Sequence, residues 1–286
     1  MRTLPILYQD TRIVGVNKPS GLLVHRSPID RHETVYALQV LRDQLGRRVH
    51  PLHRLDKATS GVLLFALDPG TARTMTEAFT GGKIAKSYLA VVRGYTVGEG
   101  LIDHPLSEPR DNAGRSGERG TKQAVTAYRR LATVELPFPT DRHATARFSL
   151  VRAEPLTGRM HQVRRHLKHI FHPIIGDTTY GDGRRNELFR SRLDCRRLLL
   201  HAEELTFTHP SSGLPVTVRA PLDDAFGALM EQLGWSAAVP GSRSGAPGAE
   251  ARDTGGGTCL SGKECVTIQN KRRIATCSAP DAPEVV

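Results

Sequence analysis

The chain has 286 residues, with 40 Lys and Arg against 29 Asp and Glu, a net charge of +11. That length suits one large domain or two small ones, and no run approaches the ~20 apolar residues of a membrane-spanning helix. The positive excess favours a polyanionic partner such as nucleic acid, although a merely solvated basic surface has the same charge.

The N-terminus, "MRTLPILYQDTRIVGVNKPSG", lacks a sustained apolar stretch followed by a small-residue cleavage site, so no signal peptide is expected. "TRIVGVNKPSGLLVH" predicts strand, turn, strand, with Pro19-Ser20-Gly21 as the turn. "RHETVYALQVLRDQLG" predicts a helix, since Val35, Leu38, Leu41 and Leu45 fall at near-helical spacing and Gly46 can end it. "GVLLFAL" is a continuous apolar run after a turn, the mark of a buried strand. A helix over "GTARTMTEAFTGGK" and a strand over "KSYLAVVRG" follow. Residues 98–123 are rich in Gly, Arg, Glu, Asp and Pro and predict a long loop or insertion.

Further on, "AVTAYRRLATVEL" and "ATARFSLVRAEPL" predict strands and "GRMHQVRRHLKHI" a helix. Gly176 to Gly183 predicts a Gly-rich turn; it lacks the lysine-serine pair of a phosphate loop. "RRLLLHAEELTFTHPSSGLPVTVRAPL" predicts a hairpin about Ser211-Ser212-Gly213, and "PLDDAFGALMEQLGW" a last helix. Strands joined by hairpins imply an α+β fold, a largely antiparallel mixed sheet flanked by helices. From Ser236 the sequence turns to Gly, Ser, Ala and Pro without apolar periodicity, and cannot bury enough surface to offset ordering entropy. The expected division is therefore a folded domain over 1–235 and a disordered tail over 236–286. Three of the four cysteines, Cys259, Cys265 and Cys277, fall in that tail. One thiol, Cys195, in the folded part fits a reducing cytoplasm.

Chemistry concentrates in "HRLDKATSGVLLFAL", where one acid, Asp56, follows Arg54 and precedes the buried strand. Alone, such an Asp more often caps a surface turn with Thr59. An acid at the mouth of a buried strand, held ionised by a cation, is instead a candidate nucleophile or base. The second constellation is "HQVRRHLKHIFHP". Its His161, His166, His169 and His172 stand at spacings of five, three and three. Arg164, Arg165 and Lys168 are interleaved, so a basic helix against phosphates fits better than a zinc site. "CLSGKEC" in the tail is spaced more widely than usual for zinc, so no metal is expected.

"VNKPSGLLVH", "HRLDKATSGVLLFAL", "KIAKSYLAVVRG", "PLTGRMHQVRRHLKHIFHPIIGDTTYG" and "RLLLHAEELTFTHP", in that order over residues 6 to 220, resemble the motifs of the RluA-type pseudouridine synthases. Within that family the chain is most similar to members acting on tRNA at uridine 65. The resemblance implies the pseudouridine synthase fold. It makes Asp56 the catalytic aspartate, Arg164 its electrostatic partner, Tyr88 the ring that stacks on the target uracil, and Arg54 the side chain that helps hold the nucleotide out of the helix. With Arg54, the residues His53, Arg159, His161 and Gln162 are expected to contact RNA.

In such a reaction the N1–C1′ bond breaks and the uracil rejoins the sugar through C5. Substrate and product are isomers, so no cofactor is expected. The acid acts at the sugar, by attack on C1′ or by taking a proton from C2′. Flipping a stem base out takes a few kcal/mol, and stacking on Tyr88 returns ~1–3 kcal/mol. The expected partner is tRNA, with ribosomal RNA the alternative, and the protein is expected to be a cytoplasmic monomer without a membrane. A non-catalytic RNA-binding protein gives no reason to place an acid among phosphate-binding cations. Most glycosidases need two carboxylates across the scissile bond, and the motifs offer one.

Overall fold

The computed structural model describes residues 3–26, 32–107, 120–140 and 143–239. Its main sheet runs in the order β1 (Ile6–Gln9), β2 (Ile13–Lys18), β4 (Ser60–Ala66), β11 (Leu200–Thr208), β5 (Ala85–Arg93), β10 (Ala146–Pro155), β9 (Val125–Leu136), β6 (Glu99–Asp103). Strand β3 (His50–Pro51) adds to β4, and β12 (Pro215–Arg219) adds to β11. The pairings are antiparallel except that of β4 with β11, which run parallel through Ser60–His201 and Gly61–Ala202. This is the mostly antiparallel α+β sheet that the succession of hairpins predicts.

Helices cover both faces of the sheet. Alternate residues of β4 split between two cores: Leu63 and Phe65 pack with Val40 and Leu41 of α1 (Ala37–Leu45), while Val62, Leu64 and Ala66 pack with Met75 of α2 (Pro69–Thr80). That is why the strand reads as an unbroken apolar run. On β5, Leu89 and Val91 meet Phe189 of α4 (Gly183–Leu193) and Phe226 of α5 (Asp224–Gln232), and Ala90 and Val92 meet Val163 and Leu167 of α3 (Gln162–His169). Gly46 ends α1 in the left-handed conformation, φ 62°, as its position predicts. The Asp68 carboxylate caps α2 by accepting from the Thr71 N–H, with Pro69 in the first turn.

Two expectations are corrected, and two further features had no announcement in the sequence. The run after Pro19-Ser20-Gly21 is not a second hairpin strand: the Leu23 and Val24 carbonyls accept the Ala37 and Leu38 N–H groups, so the segment docks on the start of α1. The stretch expected as one long loop contains β6, anchored by buried Ile102, and a small ladder of β7 (Leu106–Ser107) with β8 (Thr121–Lys122), anchored by buried Leu106. Residues 108–119 lie outside the described residues. Helix α4 follows the Gly-rich turn without an apolar stripe to announce it, burying only Asn186 and Phe189. Finally, Ser236–Ala238 forms a 3₁₀ turn and Val239 is buried beside Trp235, so the packed core extends past residue 235. Residues 240–286, with the three tail cysteines, lie outside the described residues. No helix among the described residues is long and apolar enough to cross a membrane.

Candidate active site

Asp56 sits in the turn that leads into β4, and the backbone of that turn is held from behind. The Thr59 N–H donates to the Asp56 carbonyl at 3.0 Å, and Gly21 N–H and Ser20 Oγ donate to the Lys57 and Ala58 carbonyls at 2.8 and 2.7 Å. Lys18 is fully buried, and its Nζ donates to the carbonyls of Pro19, Leu22 and Lys57 at 2.9, 2.8 and 3.1 Å. Burial pulls its pKa down to about 7, the Asp56 charge opposing and Arg197 adding to the fall. Three acceptors match the three protons of an ammonium. Thus "NKPSG" and "LDKATSG", 38 residues apart from Asn17 to Leu55 by their numbers, form one rigid corner. Gly61 is required there: at φ 113°, a Cβ would lie 2.1 Å from the Ala202 carbonyl oxygen across the parallel pair.

The carboxylate faces a buried cation. Arg164 on α3 is 7% exposed; its Nη1 donates to Asp56 Oδ2 at 2.9 Å, while Nε and Nη2 hold both oxygens of Asp177 at 2.7 and 2.9 Å. Burial disfavours the guanidinium charge, but the two carboxylates outweigh it and raise the pKa. Burial likewise works against the Asp177 carboxylate. The Arg164 bonds, with the Tyr180 and Thr179 N–H groups, prevail and hold its pKa below the usual range. Asp177 therefore fixes the planar fork of Arg164 and leaves one N–H edge for Asp56. Gly176 permits this close packing: at φ 80°, a Cβ would meet the Arg197 carbonyl oxygen at 1.9 Å.

Tyr88, on β5, is half-buried and packs against both cores that flank the site. Burial and the nearby Asp56 charge push its phenol well above the usual value, so it stays a neutral ring. His161 lies opposite, with Nε2 3.6 Å from Asp56 Oδ1 and Nδ1 3.0 Å from the Tyr180 hydroxyl. It starts α3 in the left-handed conformation at φ 54°. Burial lowers its pKa, against the pull of Asp56 and with help from Arg164, so the imidazole is neutral near pH 7. The Tyr180 ring also stacks under the Arg164 guanidinium, 5.1 Å to the ring centre.

The remaining expected RNA contacts divide. Arg54 is exposed and close enough to act on His161 electrostatically. Arg159 is exposed, with Nε on the Gln123 carbonyl at 3.1 Å. Gln162 is corrected to an internal brace: it is buried, its Oε1 accepts from Thr157 Oγ1 and Arg159 N–H, and its Nε2 donates to Val125 O and Thr126 Oγ1. His53 is half-buried; its Nε2 accepts from the Leu64 N–H and its ring stacks on Phe79, and burial, with a smaller push from Lys86, lowers its pKa to about 3.

The other three histidines of the α3 region are separated by their partners. His166 bonds Thr126 Oγ1 and the His104 carbonyl, His169 stacks on His104, and His172 Nδ1 meets the Arg93 carbonyl. Asp177 and Tyr180 were not singled out from the sequence; their only mark is the "GDTTYG" turn, whose glycines read equally as a plain connection.

The sequence matches the family model described as "RNA pseudouridylate synthase" over residues 12–169. It is 50% identical over 234 residues to the tRNA pseudouridine synthase C of Haemophilus ducreyi, covering 81% of this chain and 96% of that one. It is 48% identical over 240 residues to the tRNA pseudouridine synthase C of Salmonella typhi, covering 83% and 92%. Among solved structures it is similar to human RNA pseudouridylate synthase domain containing 4, with TM-score 0.61 and 26% identity over 80% of this chain and 93% of that one. It is also similar to human RNA pseudouridylate synthase domain containing 1, with TM-score 0.60 and 27% identity over 77% and 84%.

Proposed function

Since this chain belongs to the RNA pseudouridylate synthase family and is an RNA pseudouridine synthase, we propose that its substrate is tRNA, that the uridine isomerised is at position 65, and that Asp56 is the catalytic group. The tRNA reading is supported by relatives named for tRNA that match this chain at about half of all positions over nearly their full length. The observation that carries the role of Asp56 is its single-edge contact with Arg164, a cation fixed from behind by Asp177.

In this reading the flipped uridine enters between Asp56 and the Tyr88 ring. The N1–C1′ bond breaks as Asp56 acts at the sugar. The uracil turns, C5 bonds to C1′, the C5 proton leaves and N1 ends protonated. Arg164 keeps Asp56 ionised at the start and aims it. Arg54 and Arg159 face the RNA, and His161 borders the nucleotide. No redox or energy-rich partner enters the balance. A glycosidase reading gains nothing from the second carboxylate, because the Asp177 side chain is fully buried and spends both oxygens on Arg164 and two backbone N–H groups.

Pseudouridine mapping of unmodified tRNA and ribosomal RNA transcripts, incubated with the protein and no cofactor, tests the substrate. New pseudouridine at tRNA position 65 is expected. Product in ribosomal RNA alone overturns the tRNA reading.

A further inference from the structure

Beyond the far end of α3 lies a cavity of about 230 Å³ that the site above does not use. Three arginines line it, Arg93 from β5, Arg147 from β10 and Arg185 from α4, together with His143, Thr140 and Thr145. Two acids answer two of these cations: Asp182 pairs with Arg93 at 2.9 Å and Glu135 with Arg147 at 3.2 Å. Arg185 bears on Asp182 electrostatically, but its guanidinium makes no hydrogen bond or ion pair among the described residues. Among the described residues the cavity therefore keeps a net positive charge and one guanidinium with open donors. An arginine fork of that kind suits a phosphate group.

A second feature adjoins it. Phe171 is 79% exposed and has φ 64°. It ends α3, with its N–H on the Lys168 carbonyl and the His172 N–H on the Leu167 carbonyl. A left-handed residue in that place is ordinarily glycine, and a bulky side chain there is strained. The ring gains no core contact in return. Its own carbonyl accepts from Arg93 Nη2 at 3.1 Å, which ties the aromatic to the arginine cavity. Phe171 is seven residues past Arg164 along α3, an axial distance of about 10 Å.

We propose that Phe171 and the Arg93–Arg147–Arg185 cavity form a second RNA-contact surface, in which the arginines take backbone phosphates and the Phe171 ring packs on an exposed base, so that one RNA engages the catalytic cleft and this surface together. The proposal rests on the tRNA reading for its partner. An open guanidinium beside an exposed ring matches a nucleotide, which offers phosphate and base together. An acidic protein segment would use the charge and leave the ring idle.

The test compares wild type, Arg185→Ala and Phe171→Gly on a full tRNA transcript and on a short stem-loop carrying the target uridine. For tRNA, each variant should raise Kd about 5- to 10-fold, and Arg185→Ala should reduce the salt slope of binding by about one. The turnover rate at saturating RNA, and activity on the stem-loop, should match wild type. Phe171→Gly should also raise Tm by about 2–4 °C as strain is relieved, which separates lost binding from lost folding. Unchanged tRNA affinity in both variants, or a loss of saturating turnover with Kd intact, overturns the surface. Wild-type product only in ribosomal RNA overturns the tRNA reading instead, and the same comparison on that RNA then decides the surface.

Discussion

One guanidinium organises the site. Arg164 touches Asp56 by a single N–H, and Asp177 occupies the other two positions of its fork. Asp177→Asn keeps the volume and removes the charge. Expected is a fall in turnover of roughly 10- to 100-fold, in line with losing a charge-assisted pair, with RNA Kd nearly unchanged; single-turnover kinetics and a binding titration read the two separately. An equal loss in Kd would place Asp177 in RNA binding. Tyr88→Phe should retain stacking and RNA affinity, whereas Tyr88→Ala should weaken capture of the flipped uridine by ~1–3 kcal/mol. Fluorescence of a 2-aminopurine placed beside the target would report it, and identical signals from both variants would contradict the role of the ring. Asp56, Arg164, Tyr88 and Arg54 could be singled out as candidates because each lies inside a motif. Asp177 and Tyr180 could not, because their importance comes from what α3 presents to them. Gln162 is buried instead of facing RNA, because polarity in a basic segment says nothing of which side chains turn inward.

At the scale of elements, the site depends on a corner built from two loops. The buried Lys18 ammonium and three carbonyls lock "NKPSG" to the turn that carries Asp56. Lys18→Met keeps the apolar stem and strands those acceptors, each a loss of about 1–3 kcal/mol where no water enters. Urea unfolding should show a destabilisation of several kcal/mol, and the residual folded enzyme should turn over more slowly. A variant as stable and as fast as wild type would mean the clamp is idle. Gly61→Ala is expected to be worse, because its Cβ would strike the Ala202 backbone. The sequence displayed β4, β5, α2 and the β11–β12 hairpin through period and turn chemistry. It concealed β6 and α4. Ile102 is the one fully buried apolar side chain of β6, and α4 buries one apolar residue in eleven. Their order comes from tertiary contacts rather than local pattern.

For the whole molecule, acid should act through buried neutral histidines. His201 is fully buried; its Nε2 bonds the Ala220 carbonyl, which leaves Nδ1 to accept from Ser60. Burial, opposed in part by the Ala220 carbonyl, lowers its pKa from 6.5 to about 4. Between those values the unfolded chain holds a proton that the folded one lacks, so stability is full above about pH 6.5 and declines as pH falls toward 4. The contribution is on the order of 3 kcal/mol. Urea titrations at pH 7.5 and 4.5 should show it, and His201→Asn should flatten that part of the dependence; an equal slope in both would assign the acid loss elsewhere.

The most direct test of the account as a whole is pseudouridine formation by Asp56→Asn on RNA at saturating protein, with binding measured in parallel. Retained RNA binding and a rate lower by at least about 1000-fold are expected. Turnover at the wild-type rate would contradict it.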